Sequence, residues 1–339
     1  MNATAHPQPH DRLPAGLQLE RDLLLRLSRP APWRLLLHVF IEWAWIVAAI
    51  VLALRVDTAW MTIVAVGFIA TRQNALLMLM HEFSHRQFSR TRIGLNDALG
   101  DFLTAIPLFI TIHGFRRDHL RHHRAPATAE DPNWVTSLRR DRYQFPKSRP
   151  RMAGLLALHC IGVFAIQDVK GYLFDASMAV NTPRATVLRQ ATVALLVISM
   201  ASLYQLWALF ALYWLLPMVT VLLALLYLRE VGEHFGLPGP GIQASRTVLV
   251  GPLEGFLIAP HAVNFHAEHH LYPSVPFCRL RQLHEALRDR PAYKALAVVT
   301  RGYFGGLLRE TATGQHTAIE QGSVPNTSHA RAPSVEHAA

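Results

Sequence analysis

The stretch from Ala191 to Leu228 contains no Asp, Glu, Lys or Arg. One helix needs about 20 apolar residues to cross the hydrocarbon core of a bilayer, so this stretch predicts two crossings with a tight turn near Ser202–Gln205. Lipid offers the backbone no hydrogen-bond partners, and both segments must therefore be helical. Pro217, inside the second segment, predicts a kink. The stretch as a whole predicts a helical membrane protein.

Two further segments, Leu35–Leu54 and Thr58–Met80, are apolar and long enough to span a membrane. The first carries His38 and Glu42, which predict a polar pair at the interface or facing the bundle. The second carries Arg72–Asn74, which should face other helices or water. The chain is 51% hydrophobic and 17% charged, below the roughly 25% charged residues of soluble proteins. We therefore predict an all-α membrane protein with four spans in two hairpins.

Positive charge is concentrated in one part of the chain. The segment Arg86–Arg151 contains twelve arginines, whereas the turn between the first two spans contains one, Arg55. Because arginine and lysine accumulate in cytoplasmic loops, this segment and both termini are predicted to be cytoplasmic. We interpret the net charge of +10 as cytoplasmic positive charge around the membrane spans and not as a sign of nucleic acid binding.

Three apolar stretches outside the spans are too short or too interrupted to cross a membrane. Ala98–Ile112 predicts an interfacial or re-entrant segment, and Val248–Pro260 predicts a second interfacial one. Met152–Phe174 contains polar residues at intervals and predicts a helix lying on the membrane surface. These segments should form a helical cap over one end of the spans.

The composition divides the chain into three parts. Residues 1–32 form a basic arm that should lie on the membrane surface or be partly disordered. Residues 33–310 form the membrane domain. Residues 311–339 are rich in Ala, Ser, Thr, Gln and Pro, which predicts a disordered tail. The tail contains three histidines that should be solvated and without function: His316, His329 and His337.

Eight other histidines lie in three clusters with helical spacing. His81 and His85 are four residues apart, and two later triplets both follow the pattern i, i+3, i+4. Residues at these spacings share one face of a helix. The predicted topology brings all three clusters to the same side of the membrane, which indicates one shared site. The triplets are His119, His122 and His123, then His266, His269 and His270.

The residue types limit the metals that such a site could bind. Eight imidazoles exceed the ligands of one metal ion and suit two. Calcium and magnesium require oxygen ligands, and with only Cys160 and Cys278 in the chain a thiolate site is excluded. Iron, copper, nickel and zinc remain. A pair of redox metals at a membrane surface would suit the oxidation of an unactivated C–H bond with O2.

The three clusters, HEFSH, HLRHH and HAEHH, resemble the histidine boxes of the membrane-bound fatty acid desaturase and hydroxylase superfamily over roughly Trp33–Arg288. The resemblance implies a non-haem di-iron centre with O2 as co-substrate. It adds His234, in GEHFG, as a histidine between the second and third boxes. The implied ligands, which are also the implied catalytic residues, are His81, His85, His119, His122, His123, His234, His266, His269 and His270.

The resemblance also implies an activity. We expect an oxidoreductase that desaturates a fatty acyl or lipid-like chain, with hydroxylation by the same kind of centre as the alternative. The chain has no GxGxxG segment for a nicotinamide or flavin and no thiolate cluster. Electrons should therefore come from a separate protein that resembles a ferredoxin, a flavodoxin or a haem protein. The arginine-rich segment Arg116–Arg151 is a candidate docking surface for an acidic donor.

Other polar residues near the boxes have several possible roles. Some members of the superfamily have an asparagine one turn before the isolated histidine, where this chain has Glu230. Its carboxylate could serve as a ligand, a base or a salt-bridge partner. Metal-bound imidazole commonly donates its other N–H to a nearby acceptor. The candidates for that role are Glu82, Asp131, Glu233, Asn264 and Glu268.

Four histidines follow no box spacing and are predicted to be interface or loop residues: His113, His159, His261 and His284. HEFSH by itself also matches the zinc protease pattern HExxH, with Glu82 as general base. That alternative leaves six clustered histidines unexplained. A soluble carboxylate di-iron centre would need a second E-x-x-H motif. A metal transporter would place its ionisable residues at the middle of the membrane.

Overall fold

The computed structural model describes residues 13–173, 182–239 and 241–314, and most of these residues are helical. A short helix, α1 (Arg21–Leu27), precedes two long ones, α2 (Pro32–Val56) and α3 (Ala59–Ser84). Proline is favoured at the first position of a helix, as at the start of α2. Between α2 and α3, Asp57 adopts a left-handed conformation with φ of 48°. The chain thereby reverses, and α2 packs against α3.

The next helices turn sharply. A helix α4 (Ile93–Gly100) continues through a π turn and a 3-10 turn to Leu108, and α5 (Ile112–Arg124) leaves at an angle of 90°. Thr111 caps α5 by accepting a hydrogen bond from the backbone N–H of Gly114 at 3.1 Å. The predicted interfacial stretch 98–112 coincides with this bend, and the bend directs α5 and its histidines toward the end of α3.

Three shorter helices follow: α6 (Pro132–Leu138), α7 (Arg149–Cys160) and α8 (Ala165–Leu173). The single surface helix predicted over residues 152–174 is therefore two helices. They are separated at Gly162, whose φ of +77° is accessible to glycine at little cost. Phe174, the end of that predicted helix, lies outside the described residues.

The long uncharged stretch lies within four helices, which extend beyond it at both ends. They are α9 (Arg184–Leu203), α10 (Trp207–Phe210), α11 (Leu216–Val219) and α12 (Val221–His234). The predicted turn lies at residues 204–206, where Gln205 has a φ of 54°. The helix is irregular on both sides of Pro217, where a kink was predicted. A π turn over Ala211–Leu215 precedes the proline, and the helix is interrupted at Thr220 after it. Within the described residues, four helices are long and apolar enough to cross a membrane, as predicted, and the bent pair Ile93–Leu108 and Ile112–Arg124 would be a fifth only if it formed one span. The four are Arg21–Val56, Ala59–Ser84, Arg184–Leu203 and Trp207–His234.

The C-terminal part forms a lobe beside the ends of α3 and α12. Its elements are β1 (Arg246–Leu249), α13 (Pro252–Leu257), α14 (His266–Leu271), α15 (Leu280–Leu287), α16 (Pro291–Leu296), β2 (Val298–Arg301) and α17 (Leu308–Thr313). The strands β1 and β2 pair in parallel, with Thr247 opposite Val299. This small sheet is an exception to the predicted all-α fold. Its short β-branched runs favour strands, and the stretch predicted to be interfacial from Val248 begins inside β1.

The described part of the N-terminal arm packs on this lobe. Leu17, Leu19 and Leu27 are buried in one core with the lobe's apolar residues. The hydroxyl of Tyr272 donates to the carbonyl of Leu17 at 2.8 Å and accepts from the N–H of Leu19 at 2.9 Å. From residue 17 onward the arm is therefore an ordered part of the lobe.

The predicted disordered tail begins inside a helix. Thr311, its first residue, lies in α17 and is buried. The rest of the predicted tail, from residue 315 onward and with its three histidines, lies outside the described residues.

Candidate metal centre

The nine histidines singled out from the sequence come together in two adjacent clusters. Within each cluster, the nitrogen atoms that could bind a metal all lie within 4.8 Å of one another. The five-histidine cluster consists of His81, His85, His119, His123 and His269. The four-histidine cluster consists of His122, His234, His266 and His270.

Helical geometry explains how the triplets divide between the clusters. Residues four apart remain on the same side of a helix, whereas neighbouring residues diverge by about 100°. On α5, His119 and His123 therefore join one cluster while His122 joins the other. On α14, His266 and His270 stay together while His269 joins the opposite cluster. Each triplet thus contributes to both clusters.

The four-histidine cluster places the Nε2 atoms of His122 and His234 close together. The Nδ1 atom of His122 is 2.7 Å from a carboxylate oxygen of Asp131, and Nδ1 of His234 is 2.8 Å from the carbonyl oxygen of Ala244. Both Nδ1 atoms must donate to these acceptors, so in neutral rings each Nε2 carries a lone pair. These two Nε2 atoms are 3.1 Å apart. A cation between them would remove the repulsion of the lone pairs.

The remaining nitrogen separations are equally short. In the four-histidine cluster, Nε2 of His266 is 2.8 Å from that of His234. In the five-histidine cluster, Nε2 of His119 is 2.9 Å from the Nε2 atoms of both His85 and His123. Two nitrogens bound at right angles to one metal at about 2.1 Å would be about 3 Å apart. The separations therefore fit first-row metal ions in both clusters.

Burial favours the neutral form that a metal requires. Desolvation lowers the pKa of His266 and His269 well below its ordinary value, and the neighbouring histidines lower it further. The pKa of His85 and His270 is lowered for the same reasons. Neutral imidazole is the metal-binding form, so the rings remain able to bind a metal at neutral pH.

A buried carboxylate network supports the third histidine box from behind. One oxygen of Glu268 lies 2.5 Å from Nδ1 of His284 and accepts a hydrogen bond from the hydroxyl of Tyr293, also at 2.5 Å. The hydroxyl of Thr247 donates to the other oxygen. Sequence spacing gave no reason to single out His284, because its partner is fixed only by the packing of α15 on α14.

The other candidate partners of the ligands have different contacts. Glu82 accepts a hydrogen bond from the N–H of Phe277 at 2.9 Å, and its other oxygen is 3.8 Å from Nδ1 of His81. As the general base of a zinc protease it would instead have to hold a metal-bound water. Glu233 forms an ion pair with Arg229 at 2.7 Å. The amide of Asn264 donates to the carbonyl of Val248 in β1.

Glu230, whose role the sequence left open, is bonded to two hydroxyl groups and is not grouped with the histidine nitrogens. Its two oxygens accept hydrogen bonds from the hydroxyls of Ser137 and Tyr143, both at 2.5 Å. It belongs to neither group of potential metal-binding atoms.

Polar residues inside the spans face protein, as predicted. Glu42 is buried, and one of its carboxylate oxygens forms an ion pair with the guanidinium of Arg72 at 3.1 Å. The other oxygen of Glu42 lies 3.1 Å from Nε2 of His261. The ring of His38 meets that of His261 edge-on, with centroids 5.1 Å apart. Asn74 donates to the carbonyl of Ile258 at 2.9 Å. This buried network connects α2 and α3 to the segment that precedes α14.

Two further histidines lie outside both clusters, as predicted. His159 is buried, its Nδ1 atom lies 2.7 Å from the carbonyl oxygen of Leu155, and its ring stacks on Tyr227. His113 is half-buried near the start of α5 and is not among the clustered histidines.

A cavity of about 380 Å³ opens beside the histidines. Residues of both clusters line it, including His81, His119 and His266. Its apolar wall comes from α3, the bend before α5 and the helices α11 and α12, for example Leu77 and Leu222. This arrangement places an apolar binding space directly against the two histidine clusters, as the oxidation of an apolar chain would require.

Comparison with known proteins agrees with this geometry. The family model for fatty acid desaturase matches residues 58–302. Dihydrorhizobitoxine desaturase of Bradyrhizobium elkanii is 23% identical over 321 residues, which cover 90% of this chain and 89% of that protein. The matched region contains all nine clustered histidines and the whole of three of the four apolar spans. The chain therefore belongs to the fatty acid desaturase family and is a membrane-associated oxidoreductase.

Proposed function

We propose that this protein uses O2 to desaturate an apolar chain at a di-iron centre held by the nine clustered histidines. The observation that carries the proposal is the pair of clusters whose lone pairs face each other beside an apolar cavity. Bound iron would supply the chemistry, in which O2, two electrons and two protons remove two hydrogen atoms from adjacent carbons and yield two waters. The name of the similar desaturase favours desaturation over hydroxylation.

The chain's own residues would orient the ligands and the substrate. Asp131 would hold the His122 ring through Nδ1 and thereby direct Nε2 toward the metal. The apolar residues of α3 and α12 would bind the chain and exclude water from it. Substrate position relative to the centre would decide between a second hydrogen removal and transfer of oxygen. Product analysis by mass spectrometry distinguishes the alkene from the alcohol of a hydroxylase.

The electrons would come from a separate acidic redox protein. Not all of the arginines in the proposed docking segment are free to receive it, since Arg116 pairs with Asp97 and Arg142 pairs with Asp168. Arg121 and Arg124 are exposed on α5, next to clustered histidines in the chain. We expect charge reversal at these two positions to slow donor-dependent turnover and to weaken its dependence on ionic strength.

The matched control for this docking proposal is charge reversal at Arg288, an exposed arginine of the lobe. If donor-dependent turnover of the unmodified protein did not change with ionic strength, the docking proposal would be contradicted. The same would follow if the Arg288 variant lost as much activity as the variants of α5.

The proposed topology is two membrane hairpins with both termini and the metal site in the cytoplasm. The four apolar helices and the arginine-rich segment support it. Cysteine labelling from either side of a sealed vesicle tests the orientation. Ser202→Cys, at an exposed position near the turn between α9 and α10, should react only from the side opposite to the histidines in a protein whose exposed Cys160 is replaced by serine.

The proposed function is tested by the metal content of the purified protein, with a Mössbauer spectrum of the same sample. We expect about two irons per chain and the spectrum of a coupled diferric pair. One zinc and no iron would overturn the proposal and return attention to HEFSH as a protease motif.

A further inference from the structure

Four carboxylates line the cavity beside the histidines, and three of them have a cationic partner. Asp118 pairs with Arg117 at 3.1 Å, Asp168 with Arg140 at 2.8 Å, and Glu233 with Arg229 at 2.7 Å. The fourth is Glu230. Among the described residues, no cationic nitrogen forms an ion pair with it, and its protein partners are the two hydroxyls of α6 and the following turn.

A buried carboxylate without a counter-charge is costly. The hydroxyls of Ser137 and Tyr143 each donate one hydrogen bond to it, at 2.5 Å. A carboxylate has about four lone-pair positions, so acceptor capacity remains on the side that faces the cavity. The carboxylate is thus held in place by two donors, and Arg140 acts on it electrostatically without forming an ion pair among the described residues. A molecule in the cavity could supply the missing positive charge.

We propose that Glu230 binds the ammonium group of a small amphiphilic substrate. This inference rests on the proposed function, because it assigns the substrate class of the same site. Asn133 and Thr136, on the same helix as Ser137, also line the cavity and would add polar surface for a bound ammonium. The apolar walls would receive the aliphatic part, so the substrate combines an amine with a hydrocarbon chain.

The position of Glu230 also indicates where the substrate reacts. Glu230 and His234 are four residues apart on α12 and share one face of the helix. Four residues correspond to about 6 Å along the axis. An ammonium bound at Glu230 would therefore keep the oxidised carbons close to the polar end of the substrate, within the first few bonds.

The test compares three probes of equal chain length: n-hexylamine, 1-hexanol and hexanoate. Binding to the full-length protein as purified in detergent is measured by titration calorimetry, with empty micelles as reference. We expect the amine, which is cationic at neutral pH, to bind at least about tenfold more tightly than the other two. Equal binding of the alcohol would overturn the proposal and indicate a neutral, hydroxyl-bearing substrate. Preferential binding of hexanoate would overturn it as well.

Variants assign the preference to one carboxylate. Glu230→Gln should remove the preference for the amine and leave the binding of 1-hexanol unchanged, whereas Glu230→Asp should retain part of it. The matched control is Asp289→Asn, the same change at an exposed carboxylate of the lobe. An amine preference that survives Glu230→Gln would overturn the assignment. The ranking of the three probes on the unmodified protein decides the proposal even if a variant does not fold.

Iron content, measured on the same samples, separates this inference from the proposed function. Two irons per chain without an amine preference would refute the inference alone. An amine preference without iron would refute the proposed di-iron function and leave the binding site standing.

Discussion

The two histidine clusters differ in what holds their rings. In the four-histidine cluster, Nδ1 of His122 is bonded to Asp131 and Nδ1 of His234 to the carbonyl of Ala244. In the five-histidine cluster, the Nδ1 atoms of His123 and His269 are buried without a hydrogen-bond partner among the described residues, as is Nδ1 of His270 in the four-histidine cluster. The smaller cluster thus has two rings fixed by a hydrogen bond at Nδ1, whereas two rings of the larger cluster are held mainly by packing.

This difference shows how two proposed metal positions within one site can differ in how firmly their histidine rings are held. A hydrogen bond at Nδ1 fixes both the tautomer and the ring orientation and makes the imidazole a stronger ligand. The four-histidine cluster is therefore expected to depend strongly on each hydrogen-bond partner. The five-histidine cluster should tolerate the loss of one ligand better, because four histidines would remain.

The largest expected effect comes from removing a histidine from each cluster. His122→Ala leaves three histidines in its cluster and should lose about one metal ion per chain. His269→Ala leaves four and should retain more metal. Both variants should lower activity by at least about a hundredfold, since removing a ligand exceeds the cost of removing a ligand's partner. Elemental analysis and turnover measurements on the same samples check this.

The control for the histidine variants is His113→Ala, on the same helix as His122 but in neither cluster. An active His269→Ala protein would refute the ligand assignment. Equal metal loss from both variants would refute the proposed inequality of the clusters.

A smaller effect is expected from removing the partner of one ligand. Asp131→Asn replaces the charged acceptor at Nδ1 of His122 and should weaken metal retention by about ten- to a hundredfold. Competition with a chelator measures this. The matched control is Glu130→Gln, the same change at the preceding, exposed residue. If both variants retained metal equally, the Asp131 carboxylate would have no role in holding the metal.

The smallest expected effect concerns the network behind the third box. Tyr293→Phe removes the hydroxyl that donates to Glu268 and leaves a buried carboxylate oxygen with one donor fewer. The loss of stability should be about 1–3 kcal/mol, visible as a lower apparent Tm in detergent. Tyr204→Phe, at an exposed tyrosine, is the control and should change nothing. Equal Tm values for the two variants would contradict a stabilising role of this hydrogen bond.

Much of this protein was predictable from sequence because the signals are local. The four apolar helices follow from runs of uncharged residues, and the histidine sets follow from helical spacing on single segments. The family assignment depends on the same boxes and is confirmed by the family match over residues 58–302. The small sheet was missed because its two strands are short and pair across about fifty intervening residues.

Helical spacing separates His122 from His123, but only the tertiary structure decided which histidines of other segments each one joins and what supports them. His122 meets His234 and His270, whereas His123 meets His85 and His269, because of the way the segments that carry these residues pack together. The partnership of Glu268 with His284 and Tyr293 likewise joins separate elements. Contacts between distant segments leave no periodic trace in a single sequence. The sequence alone therefore determined which residues could bind metal, and packing determined their arrangement and the place of Glu230 in the cavity.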